Sequence, residues 1–366
     1  MSRSATCFVV SGFALIVAGA GCGKSPGNGD KIDAPASGSS DGSIGMITDA
    51  PPLVGTPYSL TYPTIQVSPG EENTQCIWLN LGNTSQIEVH QIHNILSNNT
   101  HHLIVYKDDM DTTEQTTPVD CQPFSGALNT SGAIEPIVIT QAKDDELTLP
   151  EGVAYTLGSN QMIKLEMHYI NTGEVGSAAF ADVNFYAVDP STIQNEAAVL
   201  FNGSLDVSLP PNQQTTLHEF IYLPSYMGLS KSNIFAVTGH EHHLGTGVTI
   251  NVGPGSAGPL TSIYNPNPFL WAEPATAYFT PPFSVPDGGG FDLTCEWNNT
   301  TSATVSFGES ATDEMCFFWA YYYPALTMVN GVATEGSEVC LHTEQYGGLN
   351  ACCPGDSLCA EIQKGF

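Results

Sequence analysis

Two histidine strings and one acidic string ending in a thioether and a thiol are the residues best suited to chemistry in this chain. They are His101-His102-Leu-Ile-Val-Tyr, Gly239-His240-Glu-His242-His243-Leu-Gly-Thr-Gly and Asp313-Glu-Met315-Cys316. On a strand, His240 and His242 leave the same face and Glu241 leaves the other. At a rise of roughly 3.3 Å per residue their backbone positions fall within about 7 Å, so two imidazoles can close on one ion. Met315 adds a soft donor, which cuprous copper prefers and harder ions do not. A His-His-Met set therefore predicts copper, whereas three histidines alone suit zinc equally well. Met315 also alternates with Phe317, Trp319 and Tyr321, which is the pattern of a core-filling residue.

The other candidates need particular local geometry. Adjacent strand residues point to opposite faces, so His101 and His102 can share an ion only at a strand end or bulge. Ser97-Asn-Asn-Thr100 just before them is a strong turn signal and supplies that irregularity. In the run 163–169, Ile163, Leu165, Met167 and Tyr169 alternate with Lys164, Glu166 and His168. His168 thus shares a polar face, which argues against a core histidine and leaves an ordinary surface position as the alternative. His90 and His93 read as surface residues, and His218 and His342 have no motif around them.

These residues must be held by a frame that the composition describes. The 366 residues include 8 Lys plus Arg against 37 Asp plus Glu, a formal charge of -29. That charge repels nucleic acid and anionic membrane surfaces, so neither is an expected partner. A charged fraction of 12%, with 36 Gly and 25 Pro, fits short strands joined by turns better than helix bundles. Strand-like runs include 74–81, 101–107, 137–140, 161–170 and 180–188, then 198–205, 216–223, 234–238, 248–252, 303–307 and 316–323. The expected fold is all-β: two tandem sandwiches over 56–190 and 191–330, followed by a small Cys-rich extension over 331–366.

Arg3 and the apolar run to Gly21, ending in small residues and Cys22, read as an export signal over 1–22, with Cys22 as a lipidation site. A flexible tether of Gly, Ser, Asp and Pro follows over 23–55. The expected location is a bacterial cell envelope, lipid-anchored, with simple secretion as the alternative. Apart from Cys7 and Cys22, eight cysteines remain, an even number that suggests disulfides in an exported protein. A zinc knuckle of the last four is the weaker reading, because their spacing lacks two well-placed Cys-x-x-Cys pairs.

In this order and at these intervals, the three strings and Leu165-Glu-Met-His168-Tyr resemble the copper type II, ascorbate-dependent monooxygenases. This is the family of peptidylglycine alpha-hydroxylating monooxygenase and dopamine beta-monooxygenase. The resemblance runs from about residue 58 to about 325. It implies two jelly-roll-like sandwiches with a solvent-filled cleft between two coppers. His101, His102 and His168 would hold the electron-transfer copper; His240, His242 and Met315 would hold the oxygen-binding copper, where catalysis occurs. His243 is not a ligand in the family. The resemblance also implies the disulfides Cys76 with Cys121 and Cys295 with Cys316. Ascorbate would be the reductant, and dioxygen and a small molecule the substrates.

Departures from the family pattern bear on that substrate. The peptide-amidating members carry an arginine two residues before the paired histidines, where Thr238 stands here. Phe317 and Trp319 replace the polar residues that assist it, and Glu166 replaces a glutamine. These changes point away from peptide amidation and toward an apolar or aromatic substrate, with an amine attracted by Glu166 or Glu241 as one form of it. The competing expectation is an exported copper-binding lipoprotein without turnover, serving storage, sensing or surface interaction.

Overall fold

The computed structural model describes residues 53–124, 133–329, 332–333, 336–343 and 349–353. The expected export segment, Cys22 and the tether as far as residue 52 lie outside these. Period-2 alternation builds the strands, and Ser177–Val188 shows it plainly: Ala179, Ala181, Val183, Phe185 and Ala187 are buried while their neighbours are half-buried. Among the described residues, the only helical pieces are three 3-10 turns of three residues each.

The first half contains two sheets. One runs in the order Thr56–Val67, Ser177–Val188, Ile87–Leu96, Val153–Leu157 and Asn195–Glu196, with Asp144–Thr148 also on Ile87–Leu96. The other runs Gln115–Asp120, Glu72–Asn80, Met162–Ile170, Thr100–Asp108 and Ile134–Thr140. The second half has a six-stranded sheet of Thr276–Phe283, Asn233–His240, Cys316–Tyr323, Ala198–Ser204, Glu338–Thr343 and Leu349–Cys353. Against it lies a four-stranded sheet of Gln213–Tyr222, Gly290–Asn299, Gly245–Gly253 and Thr261–Tyr264. The architecture is all-β and sandwich-like. Of the expected run 303–307, only Val305–Ser306 pairs as a strand, in a two-stranded ladder with Ser208–Leu209.

Alternation fails where both faces of a sheet are covered. Thr100–Asp108, Met162–Ile170, Asn233–His240 and Cys316–Tyr323 are buried at nearly every position. Met315, Phe317, Trp319 and Tyr321 belong to one core cluster with Ile104 and Ile139 of the first half, which share the sheet face of Glu166 and His168. Cys316, Phe318, Ala320 and Tyr322, on the opposite face, pack with Ile250, Phe291 and Leu293 of the four-stranded sheet. The two middle sheets therefore face each other, and the Tyr321 hydroxyl, which accepts from the Ile139 amide at 3.1 Å, joins them. This corrects the surface reading of His168. Its polar face is covered: Lys164, Glu166 and His168 are 3%, 0% and 3% exposed, with Lys164 against the Trp78 and Tyr106 rings and His168 beside His101 and His102.

The residues after 331 do not stand apart as far as they are described. Glu338–Thr343 runs parallel to Ala198–Ser204 and extends the six-stranded sheet, and Leu349–Cys353 pairs with it in turn. Disulfides join Cys76 to Cys121 and Cys295 to Cys316, the pairings the resemblance implied, and a third joins Cys340 to Cys352.

Candidate metal centre

A bulge sets the first three histidines. The antiparallel register between Thr100–Asp108 and Met162–Ile170 shifts between Thr100 and His102, so His101 is the extra residue. The turn before it is closed by the Thr100 amide on the Ser97 carbonyl at 3.1 Å. Beyond the bulge His102 pairs directly with His168 across the strands. His101, His102 and His168 each offer a ligand atom within 4.8 Å of the others. Cys76, Cys121 and Glu166 also approach one another, but both thiols are consumed in a disulfide.

The second set sits where Asn233–His240 ends. His240 pairs with Phe317, while Glu241 and His242 lie in the turn beyond the strand, so the two histidines meet at a strand end rather than along a strand. Glu314 holds this turn: its carboxylate accepts the His242 amide at 2.9 Å, the Leu244 amide at 2.7 Å and the Trp297 indole at 3.0 Å. Glu241 points away, as alternation requires, and accepts the Glu296 amide at 3.0 Å. Gly245 makes room for it, because a Cβ there would overlap the Glu241 side chain. Met315 is buried with Phe317, two residues from the His240 partner, and adjoins the Asp313–Glu314 segment that bonds His242. It is at once a core residue and the neighbour of both histidines' supports.

The two sets meet. His101 lies 6.1 Å from His240 and 5.7 Å from His242 between ring centroids, and His102 lies 6.3 Å from His240. At the histidines no solvent-filled cleft separates the halves, because all five rings are 4% exposed or less. Trp271, half-buried, stands 5.8 Å from His101 and 6.4 Å from His243. His243 itself turns aside, with Nδ1 2.6 Å from the Ala311 carbonyl. His90 and His93 lie on the outer sheet, bonded to the Val153 carbonyl and to Asp144, and His218 pairs with Asp292.

Several ring nitrogens are already committed. His168 Nε2 bonds Glu72 at 2.8 Å, His240 Nδ1 bonds Gln141 Oε1 at 3.1 Å, and His242 Nδ1 bonds the Asp313 carbonyl at 3.0 Å. Against these, His101 Nε2, both nitrogens of His102 and His240 Nε2 are buried without a protein partner. An unpaired buried polar atom costs roughly 1–3 kcal/mol, so four together need a compensating ligand. Burial and the neighbouring rings hold His101, His102 and His240 well below the usual histidine range, and burial brings His242 to about 4. Neutral imidazoles with buried, bare nitrogens fit a metal ion, and Met315, two residues after the Asp313 carbonyl that anchors His242, adds a thioether that suits copper.

The remaining expected site residues are used internally. The Glu166 carboxylate is met by Lys164 at 3.3 Å, the Tyr106 hydroxyl at 3.0 Å and the Phe124 amide at 2.6 Å. It is thus spoken for by an internal cation, which corrects the expectation that it attracts an amine. Thr238 bonds Thr276 at 2.8 Å; Phe317 stacks on Phe201 at 5.1 Å, and Trp319 stands 5.9 Å from His240. Glu72, Gln141 and Trp271 escaped the sequence reading, since no spacing ties them to the histidines. Glu314 stood inside a motif without a role.

Among solved structures, the chain is similar to the triple jelly roll turret of an archaeal virus at 11% identity and a TM-score of 0.19, over 72% of this chain and 58% of that one. It is similar to the T13 particle of infectious bursal disease virus at 12% identity and 0.17, over 77% and 72%. A subviral particle of that virus matches at 12% and 0.18, over 78% and 74%. The chain spans 58% of the length of the first of these, and likenesses this slight carry no argument. Residues 195–343 match the family described as copper type II ascorbate-dependent monooxygenase, C-terminal domain. The first-half histidines lie outside the matched residues. His240, His242 and Met315 lie inside the matched residues, so the second half of the chain is similar to the C-terminal domain of the copper type II, ascorbate-dependent monooxygenases.

Proposed function

We propose that this protein is a copper-dependent monooxygenase that hydroxylates a C–H bond of a small apolar or aromatic molecule, using dioxygen and ascorbate or another one-electron reductant. The observation that carries the reading is the cluster of five buried histidines, four of whose ring nitrogens have no protein partner. His101, His102 and His168 would hold one copper and His240, His242 and Met315 the other. When bound, copper supplies the redox chemistry that no side chain here can perform. The chain's own residues do the rest. Glu72, Gln141 and the Asp313 carbonyl fix the rings of His168, His240 and His242, and Glu314 holds the turn that carries His242. Trp271 and the facing sheets keep water from the rings.

The surroundings of His240 favour an apolar substrate. Thr238 spends its hydroxyl on Thr276, and the buried rings of Phe317 and Trp319 line this side of His240 with aromatic carbon rather than with a cation. The test is oxygen uptake by the copper-loaded, ascorbate-reduced protein across a panel of aromatic and aliphatic compounds, with isotopically labelled dioxygen. Substrate-dependent uptake with label in the product is the expected result. Tight copper binding with no labelled product from any class would favour a storage or sensing role. Efficient amidation of glycine-extended peptides would overturn the substrate assignment.

A further inference from the structure

We infer that Glu72 is a positioning residue that braces the two ligand sets against each other across the facing sheets. Its first oxygen, Oε1, meets His168 Nε2 at 2.8 Å and accepts the Ala311 amide at 2.6 Å; Oε2 accepts the Ser310 hydroxyl at 3.0 Å. One carboxylate of the first half thus holds a first-half histidine and two donors of a second-half loop. That loop leads directly to the second ligand set. Ala311 receives His243 Nδ1 on its carbonyl, the Asp313 carbonyl receives His242 Nδ1, and Met315 follows two residues later.

Gln141 makes the bracing reciprocal. It belongs to the first half, yet its Oε1 anchors His240 Nδ1 of the second at 3.1 Å. Each set is therefore oriented in part by a residue bound to the other half. A ligand's outer partner typically changes metal affinity by about tenfold to hundredfold, so a change at Glu72 reaches beyond His168. The carboxylate carries the coupling because it is the atom group shared by both ends, and no metal is needed for its hydrogen bonds to form.

The experiment compares the native protein with Glu72→Gln and Ser310→Ala, with two readouts. The first, amide hydrogen exchange in metal-free protein, is independent of the copper reading. Glu72→Gln should speed exchange at Ala311 by at least about tenfold, because that amide loses a charged acceptor. The second, on which the copper reading does bear, is a cuprous titration. Ser310→Ala leaves His168 and its bond to Glu72 in place, yet it should weaken the first-half site several-fold; Glu72→Gln should weaken both sites. Unchanged exchange at Ala311 in Glu72→Gln, or a first-half site indifferent to Ser310→Ala, would overturn the inference. If the native protein binds no copper, the proposed function fails and the exchange result alone decides the brace.

Discussion

His102 stands directly opposite His168 on the neighbouring antiparallel strand, and their ring centroids are 5.0 Å apart. Two buried strands and one bulge are all that is required to gather His101 beside them, with centroids 5.4 Å and 5.3 Å away. A site carried on paired strands is more rigid than one on loops, because backbone hydrogen bonds fix the Cβ positions. The second set lacks that support, since His242 lies beyond the strand and depends on Glu314 and Asp313. The two sites should therefore respond differently to loss of a single residue.

If His168 is a copper ligand as proposed, His168→Ala removes it from the rigid set and leaves the frame of the other in place. The copper count should fall from two per chain to one, and reduction of the enzyme should no longer sustain repeated turnovers. Copper analysis after dialysis, followed by single- and multiple-turnover product assays, makes the measurement. Retention of both metals with undiminished turnover would remove His168 from the ligand set.

Much of this arrangement is legible in the sequence, and the illegible part has a definite cause. The bulge at His101 follows from two adjacent histidines after Ser97-Asn-Asn-Thr100, and the run Cys316–Tyr323 is apolar enough to announce a doubly buried strand. Gly290–Asn299 and Thr276–Phe283 are harder to read, because polar residues and prolines break their pattern. The polar face of His168 misleads: alternation shows which residues share a face but not what covers it. Glu72 lies 96 residues from His168, and Gln141 lies 99 from His240, so no local pattern could have paired them.

Burial of Met315 changes how its role must be tested. At 1% exposure within the shared core, truncation to alanine should cost about 2–5 kcal/mol and confound loss of a ligand with loss of packing. Met315→Leu nearly conserves volume and should cost less than about 1.5 kcal/mol. The expected outcome is a melting temperature close to native, with copper retained at the histidine triad and lost or weakened by at least tenfold beside His240. Hydroxylation at the native rate in Met315→Leu would exclude the thioether from the reaction.

Glu166→Gln should act on stability rather than on substrate choice. The carboxylate neutralises Lys164, which is itself 3% exposed, and also accepts from Tyr106 and Phe124. Removing one partner of a buried pair leaves the other charge uncompensated and typically costs about 3–5 kcal/mol. Chemical denaturation should therefore show a lower midpoint with a similar slope, and relative rates among amine and neutral substrates should be unaltered. A change in amine preference without loss of stability would restore Glu166 to the substrate pocket.

Glu309 should give the protein a pH dependence whose sign follows from its burial. Burial, reinforced by the charge of Glu166, raises its carboxyl from 4.5 to about 8, and Oε1 is buried without a hydrogen-bond partner. Between those values the folded chain keeps a proton that the unfolded chain has released. Folding stability from this group is thus fully present below pH 4.5 and declines as pH rises toward about 8. Glu309→Gln removes the titration. The variant should gain on the native protein across that window by an amount on the order of a few kcal/mol, and the two should differ least at the acidic end. Urea unfolding of both proteins at a series of pH values reads this directly, and parallel stability curves would show that Glu309 is already ionised in the fold.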